Sequence, residues 1–181
     1  KPDRRQRQMC IRDRLKAAAM TYRQSGNDFW TGPLDENGDI SAETCENYDK
    51  HFSITRQEVD EFIAWFNDNS AYPDYTIPNS ITNWPGNGID GDYQFLAPYY
   101  DANDDGEYNP NDGDYPKYDI DGDLDCNDDD LIYGDQTLYW VFNDKGNIHS
   151  ETSADPIGLE IRAQAFAFAT NDEIAETSLI I

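Results

Sequence analysis

Between residues 101 and 112 the chain reads Asp101-Ala102-Asn103-Asp104-Asp105-Gly106-Glu107-Tyr108-Asn109-Pro110-Asn111-Asp112. With Asp101 as the first position, side-chain oxygens fall at positions 1, 3 and 5 (Asp101, Asn103, Asp105). A glycine falls at position 6, where the backbone has to turn sharply. Glu107 offers a main-chain carbonyl, Asn109 an oxygen that acts through water, and Asp112 a closing carboxylate. Calcium takes six to eight hard oxygen ligands from carboxylates, carbonyls and water. Asp101, Asn103, Asp105, Glu107, Asn109 and Asp112 are therefore the expected ligands of a Ca2+ ion, with Tyr108 anchoring the loop in a core. A solvated acidic turn is the plainer alternative for the same residues.

Electrostatics favours the ion. Adjacent carboxylates repel by about 1 kcal/mol per close pair even at water's dielectric constant. Several such pairs rival a domain's whole stability of roughly 5–15 kcal/mol, and a dication removes the conflict. A second run, residues 119–130, alternates Asp119, Asp121, Asp123 and Asp125 and is also expected to bind metal, although its Gly122 stands at position 4. Asp35-Glu36-Asn37-Gly38-Asp39 is a third acidic stretch and reads as a plain turn. Extracellular modules of this kind bind calcium at about 10⁻⁴–10⁻³ M, a range that suits an ion-rich exterior.

The first loop resembles a dockerin-type or EF-hand-type calcium loop. Its position 12 is Asp, as is usual in dockerins, where the EF-hand has Glu. Pro110, Gly113 and Pro116 forbid a good exiting helix, so the loop is expected without a flanking helix pair.

Other chemistry is poorly represented. There is no Gly-x-Ser-x-Gly, Walker loop or His-Glu-x-x-His. Carboxylates are too abundant for any glycosidase pair to be picked out. His149 and Glu151 lie two apart, as a shared metal site would have them, but read as turn residues. A non-enzymatic protein is expected. The alternative is a secreted carbohydrate-binding or carbohydrate-active fragment, with Trp84, in Asn83-Trp84-Pro85-Gly86-Asn87-Gly88, as the sugar platform; the same Trp would otherwise plug a core.

The elements that must hold these residues are partly legible. Thr55 followed by Glu58 is a capping box, and Ile54 and Val59 occupy hydrophobic-staple positions. Val59, Phe62, Ile63 and Phe66 follow i, i+3, i+4, i+7 spacing, so a helix over 56–67 with one apolar face is predicted. Weaker helices are expected at 15–20 and 41–52, and residues 68–98 are turn-rich. Residues 137–143 alternate Leu138, Trp140 and Phe142 with Tyr139 and Val141, a strand covered on both faces. Residues 157–170 read as a long strand because their charges alternate with period two, against a competing alanine-rich helix. They turn at Asn171-Asp172-Glu173 into 175–181 to make a hairpin.

A formal net charge of -24 would argue for disorder, yet 13% of the 181 residues are aromatic, enough to build a core. The acid is concentrated: residues 99–135 hold 13 Asp and one Glu against a single base, Lys117. Nucleic acid is excluded as a partner, because phosphate binding needs a basic surface. No run approaches the ~20 apolar residues of a membrane span. Residues 1–14 carry six of the 13 Lys and Arg. There Met9-Cys10-Ile11-Arg12-Asp13-Arg14 resembles the translation of a sequencing-adapter remnant from a metagenomic assembly, so these residues are expected to lie outside the fold. Two cysteines then remain, Cys45 and Cys126; one disulfide and two unpaired thiols are both open.

Several stretches together resemble a region of large Bacteroidota surface proteins. They are Phe95-Leu96-Ala97-Pro98, the loop 101–112, Gly113-Asp114-Tyr115-Pro116, Tyr133-Gly134-Asp135-Gln136, Trp140-Val141-Phe142-Asn143-Asp144 and residues 165–172, with Asp28-Phe29-Trp30-Thr31-Gly32-Pro33 and residues 83–88 upstream. The resemblance spans residues 21–181. It implies an extracellular or outer-surface location, export by type IX secretion, and roles in adhesion or gliding. A structural or adhesive function is expected, with calcium ions and surface glycans or other cell-surface proteins as partners. The expected fold is mainly β with an N-terminal α-helical portion, β-sandwich-like and truncated at the C-terminus. The expected order is 1–14 outside the fold, a helical and loop-rich portion over 15–98, the acidic calcium-binding segment over 99–135, and the start of a β-sandwich-like domain over 136–181.

Overall fold

A computed structural model describes residues 27–88, 95–118, 132–150, 153–169 and 179–180. The chain forms two compact units. The described residues of one lie within 27–49 and 141–161, and those of the other within 50–140 and 162–181. Every strand pair described is antiparallel, and helices are few. Among the described residues no helix is long and apolar enough to cross a membrane.

In the first unit, strand β1 (Trp30–Thr31) pairs with the last residues of β5 (Gln136–Asn143), Thr31 opposite Phe142. Asn143 is fully buried there, and its amide donates to the Gly32 carbonyl at 2.8 Å. Helix α1 (Ala42–Asn47) is capped by the Ser41 hydroxyl, which accepts the Thr44 N–H at 3.0 Å. The helix expected over 41–52 thus stops early. Phe52 belongs to strand β2 (Phe52–Thr55), whose backbone bonds to β5 outcompete continuation of the helix.

The second unit holds the main core. β2 pairs with the first half of β5, Ile54 opposite Thr137. Helix α2 (Arg56–Asn67) follows with the capping box in place: Glu58 Oε2 accepts the Thr55 N–H at 2.8 Å, and the Thr55 hydroxyl accepts the Glu58 N–H at 3.2 Å. Ile54, Val59 and Phe62 are buried, while Phe66, at the end of the predicted apolar face, is 42% exposed. The short helix α3 (Asn79–Thr82) adds Ile81 to the core. Strands β3 (Tyr99–Tyr100) and β4 (Tyr115–Pro116) form a two-stranded ribbon.

Strand β5 buries Thr137, Tyr139, Val141 and Asn143 on one face and half-buries Leu138, Trp140 and Phe142, with Gln136 exposed. Strand β6 (Glu160–Ala167) begins later than the predicted 157, because the N–H groups of Ile157 and Leu159 are taken by the Asp144 carboxylate, each at 2.8 Å. β6 pairs with β7 (Leu179–Ile180), Ala165 opposite Ile180, as the expected hairpin requires. β2 thus pairs with a strand that lies far along the chain. The helix expected at 15–20 lies outside the described residues.

Candidate functional site

The acidic loop leaves β3 at Asp101 and re-enters at β4. Cross-strand partners Tyr100 and Tyr115 stack at 5.0 Å and hold its two ends together. Inside the loop the Asp101 carboxylate organises the backbone. Its Oδ1 accepts the N–H of Asp104 at 2.8 Å and of Asp105 at 3.3 Å, and its Oδ2 accepts that of Gly106 at 2.7 Å. This winding needs left-handed residues at Asp104 (φ 60°) and Gly106 (φ 79°), and Asp is among the few side chains besides glycine that tolerate the region.

Asn103 and Asp105 are drawn into the same turn. The Asn103 amide donates to Asp105 Oδ2 at 2.8 Å, Asn103 Oδ1 accepts the Asp105 N–H at 3.1 Å, and Asp105 Oδ1 accepts the Glu107 N–H at 2.8 Å. The other half is organised separately. Asn109 caps a 3₁₀ turn (Pro110–Asp112), accepting the Asn111 N–H at 3.1 Å and donating to Asp112 Oδ2 at 2.5 Å. Asp101, Asn103 and Asp105 therefore come together, Asn109 and Asp112 pair with each other, and the Glu107 side chain is exposed.

Tyr108 anchors the loop as its position implied. It is buried and its hydroxyl donates to the Ile81 carbonyl at 2.7 Å. Burial pushes its ionisation far up. Its backbone is gripped by Asn87, which accepts the Tyr108 N–H at 2.6 Å and donates to the Tyr108 carbonyl at 2.9 Å. A Cβ on Gly86 would lie 2.6 Å from the Tyr108 Cβ, so only glycine lets that segment approach.

Two residues that the loop pattern did not single out matter as much. Asp114 is fully buried, and its two oxygens accept the N–H groups of Ala102 and Asn109, each at 2.8 Å. It thereby ties both halves of the loop to its base. Burial raises its carboxyl above the ordinary range against the effect of these two bonds, and the charges of Asp101 and Asp105 add to the rise. The sequence signal was an aspartate just past Gly113, between the loop and a strand. Tyr99 is 5% exposed, and its hydroxyl finds no hydrogen-bond partner among the described residues. Burial, then the charges of Asp101, Asp114, Asp105 and Glu107, push it up to about 12.

The donor set is all oxygen, which fits a hard cation. The arrangement does not close on one through acids alone: among the described residues, no group of three or more His, Cys, Asp or Glu is placed to hold a metal ion. An ion here would take the rest of its shell from Asn103, Asn109, main-chain carbonyls and water.

The remaining sequence candidates fall as follows. Asp119, Asp121, Asp123, Asp125 and Cys126 lie outside the described residues, as does Glu151. Cys45 is buried, and its carbonyl accepts the Thr31 hydroxyl at 2.6 Å. The sugar-platform reading of Trp84 is corrected. Trp84 is 3% exposed, its indole N–H donates to the Pro98 carbonyl at 3.0 Å, and its ring packs near Tyr118 and Tyr139, so no face is open to a sugar. In the third acidic stretch Asp35 accepts the N–H groups of Asn37 and Asp39, a hydrogen-bonded turn, and Asp39 pairs with Lys145 at 2.9 Å. His149 is buried, and its Nε2 meets the Asp144 carbonyl.

Fold and site together define a class: antiparallel strands with few helices, carrying an acidic loop wound around one aspartate. The chain matches no protein-family model, no curated protein and no solved structure.

Proposed function

We propose that this chain is a calcium-stabilised structural or adhesive module of a secreted bacterial surface protein, with the described sheet as one layer of a β-sandwich-like fold. The observation that supports the ion most is the winding of residues 101–106. Three consecutive odd positions carry side-chain oxygens into one turn, and the backbone amides of Asp104, Asp105 and Gly106 converge on the Asp101 carboxylate. Asp101, Asn103 and Asp105 would hold the ion, with Glu107 through its carbonyl and Asn109 through water. What the ion supplies is charge: it offsets the repulsion among carboxylates crowded on one turn. Extracellular calcium then acts as a folding ligand, contributing about 2.7 kcal/mol when present at a hundredfold excess over its Kd.

Calorimetric titration of calcium into the chelator-treated chain tests this reading. A saturable isotherm and a raised melting temperature are expected, with the tightest step abolished in Asp101→Ala and in Asp105→Ala. Identical heats and melting temperatures in the wild type and both variants refute the ligand assignment.

A further inference from the structure

In the second unit, where strand β2 begins, lies a solvent-open depression of about 220 Å³. Lys50, His51, Phe52 and Ser53 line it together with Asn79, Ser80 and Asn83 from around α3. No carboxylate stands in this lining, although the chain carries 37 Asp and Glu.

Lys50 differs from the other described lysines and arginines. Arg56 and Arg162 donate to backbone carbonyls, Lys145 pairs with Asp39, and Lys117 is buried. Lys50 is exposed and makes neither a hydrogen bond nor an ion pair among the described residues. Its ammonium is nonetheless placed, 5.0 Å from the centre of the Phe52 ring, which pairing with Tyr139 fixes in the sheet. Beside it the His51 ring stands edge-on to Trp140 at 5.3 Å. The side-chain amides of Asn79 and Asn83 make no hydrogen bond among the described residues either. An ammonium, an imidazole and two amides are thus free to donate into one depression. Ser80 gives its hydroxyl to Glu58 at 2.7 Å, and that carboxylate also takes the N–H and the hydroxyl of Thr55. Its oxygens are therefore committed to the cap of α2.

The ammonium can only donate, so it sets the sign of the ligand. A cation would meet Lys50 and find no carboxylate in the lining. The donors come singly from separate side chains with no guanidinium among them, whereas a planar carboxylate is matched best by a guanidinium fork. A tetrahedral oxyanion spreads its oxygens in several directions and suits single donors arriving from β2 and α3. The net charge of -24 opposes any anion at long range, but that field is largely screened beyond about 8 Å at physiological ionic strength.

We propose that this depression binds a tetrahedral oxyanion, the sulfate or phosphate group of a ligand. The inference goes beyond the calcium-stabilised reading and does not depend on an ion in the acidic loop.

The test is NMR on the full chain in EDTA, following the His51 ring, the Lys50 side chain and the Asn79 and Asn83 amides while sodium sulfate or sodium phosphate replaces sodium chloride at constant ionic strength. Acetate is the planar counterpart. Sulfate or phosphate is expected to give saturable shifts confined to these groups, with a Kd of about 10 mM or tighter, and acetate to bind at least about tenfold more weakly. Whichever of the two binds more tightly names the ester to seek. Lys50→Gln and Asn79→Asp both alter exposed positions, and each should weaken binding about tenfold or more at unchanged melting temperature. The inference is overturned if neither oxyanion saturates by about 100 mM, if acetate binds as tightly, or if both variants bind like the wild type. Because calcium is withheld, failure here leaves the calcium titration untouched, and failure of that titration leaves this one standing.

Discussion

Replacing Asp114 tests whether the acidic loop is held by amide bonding or disturbed by charge. Its two oxygens accept one backbone N–H from each half of the loop, Ala102 and Asn109, both at 2.8 Å. A hydrogen bond to a charged group contributes roughly 1.5–3 kcal/mol, so losing both in Asp114→Ala costs about 3–6 kcal/mol before any offset. The offset is electrostatic: burial, with Asp101 and Asp105 adding, disfavours the ionised carboxylate, and its removal relieves that. A net loss of about 2–4 kcal/mol is expected, a large share of a typical domain's stability. Asp114→Asn keeps one acceptor but turns an NH₂ toward the other N–H, so about 1–2 kcal/mol should be lost. Urea unfolding followed by tryptophan fluorescence in excess EDTA reads these differences without any ion. Hydrogen exchange at the Ala102 and Asn109 amides reads them locally, and both should exchange faster in the alanine variant. If Asp114→Asn is as stable as the wild type or more so, with protection at both amides unchanged, charge repulsion outweighs the clamp and the reasoning fails.

Two further perturbations probe the elements around the site. Thr55→Ala removes the side-chain cap of α2 and should cost about 1 kcal/mol in urea unfolding. Burial alone would raise the Glu58 carboxyl, but hydrogen bonds from Thr55 and Ser80 outweigh it and hold it below its usual 4.5. Its contribution is therefore present above 4.5 and lost as pH falls through the lower folded value, so Glu58→Gln should flatten that acid limb of the stability profile; an unchanged slope would assign the limb to other groups. Gly134 sits at φ 67°, and a Cβ there would collide with the Ala167 carbonyl oxygen. Gly134→Ala should lose at least about 2 kcal/mol in thermal unfolding, and an unaltered melting temperature would mean that this backbone crossing is not rigid.

What could be read from the sequence was what is decided locally. The capping box at Thr55 and Glu58 involves neighbours within one turn, so type and spacing suffice. The winding of residues 101–106 was legible for the same reason, because each bond spans at most five residues. Trp84 was ambiguous because its fate depends on Pro98, Tyr118 and Tyr139, which local pattern does not bring near. Phe52 continued a helical pattern but was captured by pairing with Tyr139 across the sheet. The late start of β6 depends on Asp144, a residue that read only as part of a turn. The depression beside Phe52 gathers residues from β2 and from around α3, and no single stretch of sequence shows them together.

Asp114 and Asp144 indicate how so acidic a chain can form an interior. Both are fully buried, one in each compact unit, and each gives one oxygen to each of two backbone amides at 2.8 Å. In each case the amides lie in segments that would otherwise leave N–H groups unpaired: the two halves of the acidic loop, and the stretch before β6. Backbone amides carry partial positive charge and need acceptors in any case, so a carboxylate there satisfies two donors with one side chain. The repulsion that remains is concentrated on exposed side chains such as Asp104, Asp105 and Glu107, where water screens it only in part and where a divalent cation would act most effectively.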